Sequence, residues 1–186
     1  MSFKGTFSVT ITPTKHNGDV NVKSLQKYFN WQIKKKIGGL IILGSTGEFL
    51  SINKKNRLIM IKESVAITNK RVPLFVGTAA ENTNDAIKLS VEAQKLGADG
   101  VMIISPFYST PTTEELFNHF NLIGKEIDIP IMVYNNPATS NIDIFPETFA
   151  ELSKIRNVQY CKESTMDVTR VKDIVRLSKN KIKVFG

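Results

Sequence analysis

The chain has 186 residues, 41% of them apolar, and a formal net charge of +8. That length suits one domain with a buried core, and no apolar run approaches the roughly 18 residues that span a bilayer. A single cysteine, Cys161, excludes an internal disulfide framework and suits a reducing compartment, so a cytoplasmic protein is expected.

The first five residues carry no signal-peptide h-region. Strand signals then recur at a nearly even spacing, over residues 7–12, 39–43, 72–76, 101–104, 131–134, 158–162 and 182–185. Several are continuous apolar runs, as parallel strands covered on both faces require. Amphipathic helical patterns separate them. The run Lys34-Lys35-Lys36 closes the first helix, where cations meet the negative end of the dipole. The other lysines are spread over several helices, so solvated faces rather than a nucleic-acid patch account for the basic charge. An anionic substrate would gain modestly from the same field. Ala86, Leu89, Val91, Ala93 and Leu96 form one apolar stripe, closed by Gly97 as a C-cap. Thr112 or Thr113 with Glu115 signals the N-terminus of the next helix, and Pro146 suits the first turn of the fifth.

Six alternations of strand and helix followed by a seventh strand mean a parallel sheet, either doubly wound or closed into a barrel. The turn after the first strand, Pro13-Thr14-Lys15-His16, lacks the phosphate-cradling glycines of a Rossmann fold. Unusual polar and aromatic residues instead follow strands two, four, five and six, which is the barrel pattern. A complete barrel takes about 250 residues. The expected fold is therefore an α/β (β/α)8 TIM barrel, truncated after about six βα units and the seventh strand. It forms a single incomplete domain over residues 1–186. Alone, such an open-edged chain is expected to associate and to be inactive.

Four segments carry chemistry. Gly44-Ser45-Thr46-Gly47-Glu48 follows strand two; its hydroxyls and peptide N–H groups suit a carboxylate, or they merely cap a helix. Ser105-Pro106-Phe107-Tyr108-Ser109-Thr110-Pro111 is a proline-bounded aromatic loop that also suits an interface. Tyr134 ends strand five in Tyr134-Asn135-Asn136-Pro137, placed either to move protons or to pack a rim. Lys162 ends strand six in Val158-Gln159-Tyr160-Cys161-Lys162-Glu163-Ser164-Thr165. A strand-end lysine either forms a salt bridge or, held neutral, attacks carbonyl carbons to make a Schiff base. Alternation turns Cys161 away from the barrel axis and Glu163 away from Lys162, into a rim contact. His16 and His119 lack metal-site spacing, and Glu48 is assigned to buttressing its turn.

In order and spacing, Gly-Ser-Thr-Gly-Glu, Pro-Phe-Tyr, Tyr-Asn-Asn-Pro and Lys-Glu-Ser resemble the dihydrodipicolinate synthase / N-acetylneuraminate lyase family of pyruvate-dependent Schiff-base lyases. The resemblance runs over residues 5–186 and matches the N-terminal two-thirds of the family's chain. It implies that Lys162 forms an imine with pyruvate or a related 2-oxo acid and that Tyr134 moves protons. Ser45, Thr46 and Gly47 would bind the carboxylate, and Tyr108 would reach the site of a neighbouring subunit. No cofactor or metal is implied, nor any nucleic-acid or membrane partner; the assembly would be a homotetramer, a dimer of dimers. Thr139 stands where lysine-pathway synthases carry an arginine for the second substrate, and a hydroxyl cannot replace that bidentate clamp. The expected activity is therefore a catabolic 2-oxo acid aldolase or dehydratase. A genuine 4-hydroxy-tetrahydrodipicolinate synthase, an N-acetylneuraminate lyase and a non-catalytic fragment or family member are the alternatives.

Overall fold

The apolar runs become seven strands with helices between them in the computed structural model, which describes residues 3–186. They fall into two units, residues up to Gly77 with Ala93–Gly100, and Thr78–Glu92 with Val101–Gly186. The fold class is the expected α/β class of the (β/α)8 barrel, represented through its seventh strand.

The first unit holds β1 (Phe7–Val9), α1 (Val22–Lys34), β2 (Gly39–Ile42), α2 (Lys54–Thr68) and β3 (Leu74–Gly77). Its strands pair in parallel, Ser8 beside Leu40 and Ile41 beside Phe75. Leu40, Ile42, Leu74, Phe75 and Val76 are wholly buried. Burial of each such side chain is worth about 1.5–3 kcal/mol before chain entropy is counted. The first strand is shorter than residues 7–12. Thr10 still reaches the Ile41 carbonyl through its N–H (2.9 Å) and Oγ1 (3.2 Å), and the chain then turns into a Thr14–Val20 bridge. The third strand starts at Leu74 rather than at residue 72. Pro73 has no N–H for the ladder, although its carbonyl accepts from Leu40 at 2.9 Å. Arg57 of α2 donates to the Gly77 carbonyl at the end of β3.

The second unit holds most of α3 (Thr83–Lys95), then β4 (Gly100–Ile104), α4 (Thr113–Glu126), β5 (Ile131–Asn135), α5 (Pro137–Ser140), α6 (Pro146–Leu152), β6 (Val158–Glu163), α7 (Val168–Leu177) and β7 (Lys183–Phe185). Strand β5 lies between β4 and β6, all parallel, and β6 pairs β7. Thr112 and Glu115 form the reciprocal capping box that starts α4, and Pro146 takes the first turn of α6. Helix α5 is an extra single turn between β5 and β6. Pro137 opens it and Asn141 closes it in the left-handed conformation, φ 56°. Asn is among the few residues that tolerate that region.

Candidate active site

In β5 and β6, period-two alternation sorts residues onto two faces. One face carries Tyr134 and Lys162, which are direct register partners, and continues two residues on to Asn136 and Ser164. The Lys162 Nζ lies 3.7 Å from the centroid of the Tyr134 ring and donates to Ser164 Oγ at 3.0 Å. Asn136 Nδ2 donates to the Tyr134 hydroxyl at 2.8 Å. Tyr134 is buried and Lys162 half-buried. Burial works against ionisation of the Tyr134 phenol, but the adjacent Lys162 ammonium, with Asn136 and Ser164, outweighs it and holds the phenol below its ordinary range.

The opposite face ties the same two strands together. Asn135 and Glu163 are also register partners, and Asn135 Nδ2 donates to Glu163 Oε2 at 3.0 Å. Glu163 accepts the Thr165 N–H at 2.8 Å, and Asn135 Oδ1 accepts the Ile144 N–H at 3.0 Å. Asp143, which also accepts from Asn135, is gripped by both terminal nitrogens of Arg170, at 2.5 and 2.7 Å. Glu163 thus faces away from Lys162 as expected, and its contacts are buried ones. It is buried at 6% exposure inside a polar network that ties β5, β6 and α7 together. A carboxylate there needs those donors, because an unpaired buried charge is costly. Cys161 is fully buried and its thiol is pushed well up, by burial first and by the Glu163 charge second.

In the first unit, the Gly44–Glu48 turn is a backbone device. Leu43, just before it, and Glu48, its last residue, both hold positive φ, 54° and 55°. A Cβ at Gly47 would stand 3.1 Å from the Leu43 nitrogen and the Thr10 carbonyl, so a side chain there needs the backbone around it to give by a few tenths of an ångström. The Gly47 N–H is spent inside the turn on the Gly44 carbonyl (3.0 Å), and the Gly47 carbonyl accepts from Thr12 Oγ1 (2.8 Å). The side chains of Ser45 and Thr46 are exposed. Glu48 serves the turn through its backbone, its N–H donating to Ser45 and its carbonyl accepting from Ser51.

Thr139 is exposed on α5, where its hydroxyl donates to the Asn136 carbonyl at 3.3 Å. Tyr108 is 90% exposed, and among the described residues no contact joins it to Lys162 or Tyr134. His119 is buried in α4 with Nδ1 on Thr83 Oγ1 at 2.9 Å; burial lowers its pKa to about 4, with the Glu81 charge opposing. Among the described residues, no three His, Cys, Asp or Glu side chains cluster as metal ligands, and no helix is long and apolar enough to cross a membrane. Sequence reasoning missed Ser164, Asn136 and Asn135 as parts of the site. The signal was present for the first two, since each stands two residues after a singled-out strand residue.

The sequence model of the dihydrodipicolinate synthetase family matches residues 2–186. Curated relatives include the 4-hydroxy-tetrahydrodipicolinate synthases of Thermodesulfovibrio yellowstonii, 34% identical over 99% of this chain, and of Persephonella marina, 39% identical over 95%. The chain spans 63% and 60% of the length of those two proteins. Among solved structures, the chloride-inhibited dihydrodipicolinate synthase of Acinetobacter baumannii, complexed with pyruvate, is 32% identical with a TM-score of 0.95. That match covers 98% of this chain and 63% of the solved one.

Proposed function

This chain belongs to the dihydrodipicolinate synthetase family, and on that premise we propose that it supplies the Schiff-base half of a lyase acting on pyruvate or a related 2-oxo acid. The observation that carries the reading is the Lys162–Tyr134 pair, with the amine 3.7 Å from the phenol ring centroid at adjacent strand ends. Once Lys162 has given up its ammonium proton, its amine attacks the C2 carbonyl of pyruvate, water leaves, and the resulting imine withdraws electrons from the bonds at C3. The phenol of Tyr134, its pKa lowered beside Lys162, moves protons during collapse of the carbinolamine and at the C–C or C–O bond step. Ser164 and Asn136 orient amine and phenol through the bonds described above. Ser45 and Thr46 bind the 2-oxo acid carboxylate through their exposed hydroxyls, while Gly47 shapes the turn. Tyr108, exposed on its own chain, joins the proton relay of a neighbouring copy in a homo-oligomer, a dimer of dimers. The enzyme is cytoplasmic and uses no cofactor. The A. baumannii relative's pyruvate complex supports the choice of ketone.

Thr139 decides the second substrate. An exposed neutral hydroxyl already bonded to the Asn136 carbonyl offers no clamp for a second carboxylate, which favours a catabolic aldolase or dehydratase acting on a hydroxylated 2-oxo acid. The curated relatives' name supports the other reading, 4-hydroxy-tetrahydrodipicolinate synthase. Borohydride reduction of the full-length protein with pyruvate is expected to add a reduced pyruvyl group at Lys162, and Lys162→Ala to remove it. An unmodified Lys162 in folded protein would end the Schiff-base reading. Condensation of pyruvate with aspartate semialdehyde is expected to be poor and to rise in Thr139→Arg, since a charged hydrogen bond is worth about 1.5–3 kcal/mol. Efficient condensation by the unaltered protein would make it a synthase.

A further inference from the structure

Glu81 belongs to none of the motifs, yet its carboxylate gathers four hydrogen bonds from one loop. Oε2 accepts the N–H groups of Phe107 (3.0 Å) and Tyr108 (3.1 Å); Oε1 accepts the N–H (2.8 Å) and hydroxyl (2.6 Å) of Ser109. Three consecutive peptide N–H groups converging on one anion form a nest. The segment between Pro106 and Pro111 has no helix or strand of its own, so this carboxylate takes the place of a ladder partner. The result is a loop fixed at its backbone while the Tyr108 ring stands 90% exposed. A tyrosine needed only for packing would bury its ring. A backbone pinned beneath an exposed ring is the arrangement that presents a side chain in a set direction.

We propose that Glu81 is a positioning residue, whose carboxylate holds the loop so that the Tyr108 phenol is presented to the reacting centre. The inference rests on the reading above, in which Tyr108 joins the proton relay. Glu81 touches no substrate; it acts through Tyr108. The charge-assisted bonds make the clamp stronger than neutral ones would, and an amide in place of the carboxylate turns an NH2 group toward peptide donors.

The test uses the full-length protein and pyruvate alone, following by proton NMR the exchange of the methyl protons in D2O. The imine loses a C3 proton to give an enamine, which takes a deuteron back from solvent, so no second substrate is needed. Glu81→Ala and Glu81→Gln are expected to slow turnover about tenfold or more, because misplacement of a catalytic group by 1 Å costs rate steeply. KM for pyruvate and the borohydride adduct on Lys162 should be retained, while hydrogen exchange at the 107–109 amides accelerates. Tyr108→Phe should slow turnover comparably, and the Glu81→Ala/Tyr108→Phe double variant should be no slower than Tyr108→Phe. A loop anchor with a purely structural role would instead lower stability, and its effect would multiply with that of Tyr108→Phe. Full turnover in Glu81→Ala, or independent effects in the double variant, overturns the proposal while leaving the Schiff base intact. Absence of both exchange and adduct in the unaltered protein removes the Schiff-base reading itself, and the positioning role with it.

Discussion

The Gly44–Glu48 turn and the Lys162–Tyr134 pair hold polar groups in place by opposite means. The turn relies on backbone conformation, with Leu43 and Glu48 at positive φ and a glycine at 47 where a Cβ would press on backbone atoms. Its hydroxyl side chains are exposed and little constrained. The pair relies on register. Strands β5 and β6 set Tyr134 against Lys162 on one face, and the Asn135–Glu163–Asp143–Arg170 network locks the same two strands from behind. The difference teaches where tolerance lies. The turn should survive changes of side chain but not of backbone freedom. The strand pair should respond to side chains on both faces.

Four measurements would break or sharpen that contrast. The largest expected effect is on the pair's reactive face. In the full-length protein, Tyr134→Phe should slow pyruvate methyl exchange about 10²–10⁴-fold, the usual contribution of a positioned proton-transfer group. A loss under threefold would remove the phenol from the chemistry.

Next comes titration within the second unit. The folded pKa of His119 is lowered to about 4 from an ordinary value of 6.5, by burial chiefly. The unfolded chain therefore binds the extra proton first, so the stability contribution is complete above pH 6.5 and is lost progressively as pH falls towards 4. The span is on the order of 3 kcal/mol at full protonation. Melts recorded between pH 7 and 4.5 should show His119→Gln losing less stability than the unaltered protein; equal slopes would contradict it.

Backbone freedom at the turn is the third. The Gly47→Ala variant should lose about 1–3 kcal/mol, the usual cost of overpacking, whereas Ser45→Ala should melt within about 0.5 kcal/mol of the parent. Chemical denaturation reads both, and an unaffected Gly47→Ala would show that the turn relaxes.

The last test addresses the rear face of the pair. Glu163→Gln keeps the shape but turns one acceptor into a donor facing Asn135 Nδ2 or the Thr165 N–H. It should cost about 1–3 kcal/mol of stability and slow methyl exchange only through misregister of Tyr134 and Lys162. Exchange unchanged alongside lowered stability would mean that the network supports the fold without aligning the pair.

The sequence by itself determined the βα repeat and the residues that meet on β5 and β6. Apolar runs at even spacing, a capping box at Thr112 and Glu115 and a proline at 146 are local signals, and the structure follows them. Period-two alternation likewise separates Tyr134 and Lys162 from Asn135 and Glu163, because neighbouring side chains on a strand take opposite faces. What those opposite faces touch was decided by tertiary structure. Glu163 is buried because Asn135 of β5, 28 positions away, donates to it, and Asn135 is itself held by Asp143, 20 positions from Glu163, with the α7 arginine behind. The Glu81 clamp on the Tyr108 loop was equally illegible, since it joins residues 26 to 28 apart through side-chain-to-backbone bonds. Local propensity reports the conformation of one segment at a time. Hydrogen bonds across such separations depend on how the segments are folded against each other, and no short stretch of sequence carries that information.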